Sequence, residues 1–198
     1  MILIPPGRYF FREQKVIISK HFYIGKYEVT QEQWSFVMSS NPLSNKNLAY
    51  PVQNVSWEDC QEFSRRVKLA LPTEAQWEYA CRAGCTGTYY FGDDSRVLDK
   101  YAWYHDSSGK TVGLLKPNAW GTYDMLGNVW EWCRDWHSPE SLKKDMVDPE
   151  ETKTSSHRVA RGGSWGISDV ASCGYRLNFS AGNRVDNSGF RVSSPAEE

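Results

Sequence analysis

The sequence predicts an α+β domain in which a strand or two and three short helices give way to long ordered loops. Three observations carry this reading. Apolar and polar residues alternate from His21 to Val29, three helix starts are marked by Ser or Thr caps, and the stretch from Gly84 to Ser164 has no sustained helical period. The 198 residues suit one domain, 1–198, without a linker or internal repeat.

The elements follow in chain order. His21-Phe22-Tyr23-Ile24-Gly25-Lys26-Tyr27-Glu28-Val29 mixes β-formers in alternation and reads as a strand. Thr30 stands three residues before Gln33, the spacing of a capping box, so a helix is expected from Gln31 to Met38. Ser56 caps a second helix running to about Leu69, with Trp57, Cys60, Phe63 and Val67 forming one apolar stripe. Thr73 pairs with Gln76 as another capping box, and Gly84 supplies a left-handed stop, which predicts a helix from Glu74 to Ala83. Beyond Gly84, long loops need rings, buried hydrogen bonds or a bound cation to fix them. Glu140 to Ser156, polar and mostly charged, is expected to be the most mobile excursion.

Composition narrows the function. The chain carries 23 Lys and Arg against 24 Asp and Glu, and no basic run exceeds a pair, so the electrostatic footprint of a nucleic-acid binder is missing. With 9 Trp, 11 Tyr and 8 Phe, the expected core is built from large rings under loops. No apolar stretch reaches the roughly 18 residues of a membrane span, and Met1-Ile2-Leu3-Ile4 runs into Pro5-Pro6-Gly7 without the pattern of an export signal. The cytoplasm is the default compartment. The five Cys are an odd number without paired zinc spacing and read as buried or free thiols.

The most specific block is Lys116-Pro117-Asn118-Ala119-Trp120-Gly121-Thr122-Tyr123-Asp124-Met125-Leu126-Gly127-Asn128-Val129-Trp130-Glu131-Trp132. Asp124 and Glu131 flank a Gly-Asn turn, and two carboxylates with turn carbonyls supply the hard oxygens that Ca²⁺ prefers. The same spacing suits two surface or helix-cap acids. Together with Tyr27-Glu28-Val29-Thr30-Gln31-Glu32-Gln33-Trp34, Pro51-Val52-Gln53-Asn54-Val55-Ser56-Trp57, Leu71-Pro72-Thr73-Glu74-Ala75-Gln76-Trp77-Glu78-Tyr79-Ala80, Arg161-Gly162-Gly163-Ser164-Trp165 and Gly189-Phe190-Arg191-Val192, this block resembles the formylglycine-generating sulfatase-modifying enzyme family. Six motifs match in family order over nearly the whole chain.

The resemblance implies a C-type-lectin-like fold with two or three helices, small antiparallel sheets and much irregular backbone. It also implies a structural calcium site made by the side chains of Asp124 and Glu131 and the carbonyls of Gly127 and Val129. A second family calcium site begins at an Asn in the segment matching Tyr101-Ala102-Trp103-Tyr104, where this chain has none. Formylglycine-generating members oxidise a substrate cysteine with copper held by two thiols, and the matching positions here are Ile167 and Ser172. Soft thiolates are what Cu(I) demands, so no copper is expected. Ser164 and Trp130 match accessory positions of the family's active site.

Another branch of the resemblance is the non-catalytic variable proteins of diversity-generating retroelements, in which adenine-directed mutagenesis rewrites a C-terminal surface. Asn codons mutated at adenine reach many residues but never Lys, Glu, Gln, Met or Trp. Gly166 to Ser188 contains none of those five, where a window of that size should hold about five. Arg158–Arg161 and Gly189–Val192 are expected to pair as framing strands, with Arg176, Asn178, Asn183, Arg184 and Asn187 supporting the loop backbone. The expected contact positions are Gly166, Ile167, Ser168, Asp169, Val170, Ala171, Ser172, Gly174, Leu177, Phe179, Ser180, Ala181 and Val185. Leu177 and Phe179, at alternating places, are candidates for an exposed apolar patch. The expected partner is a protein, with carbohydrate on a Trp130, Trp132 and Trp136 platform as the other possibility. The competing reading is a formylglycine-type oxidase using Cys173 and a second thiol brought near by folding.

Overall fold

The computed structural model of the protein describes residues 1–196 apart from 12, 45, 140–144 and 168–171. The strands are β1 (Ile2–Ile4), β2 (Gly7–Phe11), β3 (Gln14–Ile18), β4 (Phe22–Ile24), β5 (Trp130–Trp136), β6 (Met146–Val147), β7 (His157–Arg161), β8 (Arg176–Ser180), β9 (Ser188–Gly189) and β10 (Ser193–Pro195). The helices are α1 (Gln31–Met38), α2 (Trp57–Arg66) and α3 (Glu74–Arg82), and a 3₁₀ turn covers Ser95–Lys100. Among the described residues, three small sheets run β1-β4-β10, β2-β3-β6 and β8-β7-β5-β9.

The helix starts are where the sequence places them, because each cap satisfies N–H groups that the first turn cannot. Thr30 and Thr73 both form the reciprocal box with Gln33 and Gln76, and Ser56 forms one with Asp59. The ends differ. The second helix stops at Arg66 rather than Leu69, as Lys68 adopts the left-handed conformation (φ 56°). In α3 that conformation falls first on Ala83 (φ 47°), one residue before Gly84. Only Phe22–Ile24 of the predicted 21–29 strand is ladder-paired, with β1 on one side and β10 on the other.

Two ring-rich cores hold these parts. One gathers Tyr9, Trp77, Tyr79, Tyr90 and Leu126 around α3 and the first two sheets. The other stacks Trp34 on Phe63 at 5.6 Å, with Phe190 edge-on to both, beneath α1 and α2. The long loops are fixed by buried hydrogen bonds as well as by rings. Asn118 explains its motif: its Nδ2 donates to the carbonyls of Ala80 and Cys81 at the end of α3, while its Oδ1 accepts from Trp120 and Thr122. The segment expected to be most mobile is tied down where it is described. Asp145 and Asp148 accept from the backbone of Lys15 and Ser19, and Glu151 N donates to Asp135.

Arg158–Arg161 and Gly189–Val192 do not pair with each other. β5 lies between them, antiparallel to β7 and parallel to β9. Trp130–Trp136 takes the central place, its residues Trp130 to Cys133 buried within the sheet's two faces, and Trp132 Nε1 donates to Val55 O. Arg158 lies between the Trp57 and Trp136 rings, its guanidinium carbon 3.6 and 3.4 Å from their centroids.

Candidate functional site

The 166–188 segment leaves the scaffold at Arg161-Gly162-Gly163-Ser164-Trp165. Gly162 has φ 98°, and a Cβ there would come within 3.1 Å of Trp77, so this turn requires glycine. Trp165 is held by its N–H to Asn128 O and by its indole N–H to Gln53 Oε1, while Ile167 O accepts from His105 N. Ser168, Asp169, Val170 and Ala171 lie outside the described residues. The chain returns at Ser172, enters β8 on the outer edge of the third sheet, and turns through 181–187 to β9.

The nine described contact candidates, Gly166, Ile167, Ser172, Gly174, Leu177, Phe179, Ser180, Ala181 and Val185, are all half-buried or exposed. Leu177 and Phe179 share a face through strand alternation, opposite Ala160 and Arg158. Phe179 packs edge-on against Trp132 at 5.6 Å and anchors the strand as well as facing solvent. The most exposed positions of the segment include Gly182, Asn183, Arg184 and Asp186, which the sequence reading did not place among the contacts. Their turn composition was the available signal.

Of the five expected supports, Arg176, Arg184 and Asn187 tie the segment to the scaffold, and they do so mainly through side-chain partners rather than loop backbone. Arg176 donates to both oxygens of Glu74 at 2.6 and 2.7 Å, and Arg184 donates to both oxygens of Asp59 at 2.9 Å. Asn187 Nδ2 donates to Ser164 Oγ at 2.9 Å. Beneath β8, Glu74 and Glu78 sit one helical turn apart on α3, so a single face presents both to Arg161. Arg161 donates to each at 2.6 Å, and Arg82 reaches Glu78 at 2.8 Å. Burial opposes the charge of Glu74, yet Arg161 and Arg176 outweigh it and hold its carboxyl below the usual value.

The calcium set lies in a second buried cluster. Asp124, Gly127 and Asn128 all have positive φ, which folds the turn tightly. A Cβ on Gly127 would lie 2.2 Å from Trp103 O. Asp124 Oδ2 accepts from Gly113 N at 2.6 Å, while Oδ1 is buried without a hydrogen-bond partner. Burial raises the Asp124 carboxyl to about 6; the Gly113 N–H and Arg191 work against that shift, and Glu131 adds to it. Glu131 accepts from Arg191 at both oxygens, 2.6 Å each, and from the Trp77 indole at 2.7 Å. Glu28, which the sequence reading passed over, accepts from Asn128 Nδ2 at 2.7 Å and from Val129 N. Burial, then Asp124 and Glu131, push its carboxyl well up.

Three buried carboxylates thus face one guanidinium, and an orphaned hard oxygen remains on Asp124. Among the described residues no group of three or more His, Cys, Asp or Glu side chains could hold a metal by itself. A calcium ion here would draw on Asp124 Oδ1, one lone pair of Glu131 and the backbone carbonyls of Gly127 and Val129, a donor set of hard oxygens that fits the ion.

At the matching copper positions, Ile167 and Ser172 are half-buried and neither is a thiol. Cys173 is buried, with its sulfur 3.4 Å from that of Cys81. Ser164 and Trp130 are buried parts of the scaffold. Among the described residues, no helix is long and apolar enough to cross a membrane.

Comparison with known proteins bears on this arrangement. Chaperone protein LppX of Paenibacillus barcinonensis is 31% identical over 92% of this chain and 82% of its own length. The formylglycine-generating enzyme of Streptomyces coelicolor is 35% identical over 75% of this chain, which spans about half of that enzyme (54%). Among solved structures, Treponema denticola variable protein 1 superposes with a TM-score of 0.87 at 28% identity, covering 99% of this chain and 95% of that one. PvdO from Pseudomonas aeruginosa shares the fold with a TM-score of 0.85 at 23% identity, covering 98% and 93%. The fold is that of formylglycine-generating-enzyme-like, C-type-lectin-like proteins. The model of the sulfatase-modifying factor enzyme 1-like domain matches residues 1–195, and the chain belongs to that family.

Proposed function

We propose that the chain is a non-catalytic ligand-binding protein that displays residues 166–188 as a variable surface, of the kind used by diversity-generating retroelements. The observation that carries this is a division of labour within the segment. The side chains of Arg176, Arg184 and Asn187 are bonded to Glu74, Asp59 and Ser164, Arg184 from an exposed position, and the described contact candidates beside them are each at least partly open to solvent. Likeness to Treponema denticola variable protein 1 over nearly the full chain supports the same reading. A protein is the fitting partner. Trp130 and Trp132 are buried and offer no sugar platform, and Trp136 is covered by Arg158.

Two experiments test it. The flanking DNA should carry a near-copy of the sequence encoding residues 166–188 that differs only where the copy has adenine. A displayed library diversified at Gly166, Ile167, Ser180, Ala181 and Val185 should remain folded and yield binders to a protein, such as lysozyme, that the parent ignores. Absence of the copy together with loss of folding across the library would sink the proposal.

Calcium at Asp124, Gly127, Val129 and Glu131 is the proposed structural cofactor, bracing the turn that supports Trp165 through Asn128. The second reading, an oxidase acting on a cysteine of a target protein, is favoured by the 35% identity to a formylglycine-generating enzyme and by the nearness of Cys81 to Cys173. Both sulfurs belong to residues without solvent exposure, which leaves no approach for a substrate cysteine. Stoichiometric Cu(I) binding, with oxidation of a cysteine-containing peptide, would favour the oxidase.

A further inference from the structure

Cys81 and Cys173 are 92 residues apart in the chain, yet their sulfurs meet at 3.4 Å. Cys81 lies on the buried face of α3, with its carbonyl accepting from Asn118 Nδ2 at 3.0 Å. Cys173 is gripped on both sides of its Cα. Its N–H donates to Thr88 O at 3.0 Å, and its carbonyl accepts from Arg161 Nη2 at 2.6 Å. Neither residue has solvent exposure. Two anchored backbones therefore present two thiols to each other in a closed space, and bringing the sulfurs to the roughly 2.05 Å of a disulfide needs side-chain movement on the order of an ångström.

We propose that Cys81 and Cys173 form a disulfide that staples α3 to the root of β8. The reaction needs a small-molecule disulfide as oxidant. The Cys173 thiolate attacks one sulfur of that oxidant, expelling a thiolate and leaving a mixed disulfide. The Cys81 thiolate then attacks the Cys173 sulfur and releases the second small thiol. Two protein S–H bonds are lost, one protein S–S bond forms, and the oxidant is reduced to two thiols. The step takes place before the core closes or during an opening of it. Once sealed, the bond is out of reach of reducing thiols, and its 92-residue separation constrains much of the unfolded chain. The staple is independent of what the segment binds.

The test is refolding of the full chain from denaturant, once in a glutathione redox buffer and once with a phosphine reductant present throughout, followed by non-reducing peptide mapping and thermal unfolding of both products. The expected product joins the peptides containing Cys81 and Cys173, leaves Cys60, Cys85 and Cys133 open to alkylation after denaturation, and unfolds at least about 5 °C higher than the reduced protein. Cys81→Ala and Cys173→Ala should each remove that difference. If either variant fails to fold, the wild-type map and midpoints decide alone. Both thiols still free, a glutathione adduct on either one, a bond to another cysteine, or an unchanged midpoint overturns the proposal.

Discussion

Arg176 on β8 and Glu74 at the first turn of α3 are joined by two hydrogen bonds, of 2.6 and 2.7 Å, so the outermost strand of the third sheet is clamped to a helix rather than to a second strand. Arg161 shares the same Glu74 oxygen from beneath. Arg176→Ala leaves Glu74 with Arg161 and is expected to cost about 1–3 kcal/mol. Arg161→Ala leaves Glu78 with Arg82 and Glu74 with Arg176, but it opens the most buried part of the network, removing the donor to Glu78 Oε2 and to Cys173 O, and should cost about 3–5 kcal/mol. Urea denaturation of the two variants checks the order, and equal losses would refute it.

Chelation provides the calcium test. EGTA should lower the thermal midpoint of the wild-type protein, and Asp124→Ala should start lower and show no response to chelator. A wild-type midpoint that ignores EGTA removes the ion from the account.

Asp135 gives stability a pH dependence of definite sign. Burial, with Glu74 adding to it, raises its carboxyl to about 7, against the pull of the Glu74 and Glu151 N–H groups. A carboxyl whose folded pKa lies above its unfolded value stabilises fully below the unfolded pKa and loses that contribution as pH rises through the folded one. Unfolding free energy should therefore fall from about pH 4 to about pH 7, and Asp135→Asn should flatten that part of the profile. Urea titrations at several pH values would show it, and parallel wild-type and variant profiles would contradict it.

Glycines separate frame from face. At Gly127, with φ 79° and Trp103 O in the place of a Cβ, substitution by Ala should cost more than about 2 kcal/mol. At Gly182, where nothing lies within 4 Å of a Cβ, Ala should change stability by less than about 0.5 kcal/mol. Denaturant midpoints of the two variants settle the comparison.

Local chemistry made the helices legible. Thr30, Ser56 and Thr73 announce their starts because a cap and its partner lie three residues apart. Long-range pairing was not readable in the same way. Glu28 meets Asn128 across 100 positions, and β5 enters between β7 and β9, with no periodicity to signal either. Arg176, Arg184 and Asn187 could be recognised as supports because their forks and amides suit backbone and carboxylate partners. That Phe179 would meet Trp132 depended on a sheet order set by distant residues.

The placement of β8 bears on how this protein can change over generations. Its ladder has one neighbour, β7, so an altered side chain there disturbs a single ribbon, and β5, two strands inward, is reached from it through Phe179 against Trp132. On the proposed reading, novelty would be confined to the margin of the sheet, with Arg176 kept as the post that fastens that margin to α3.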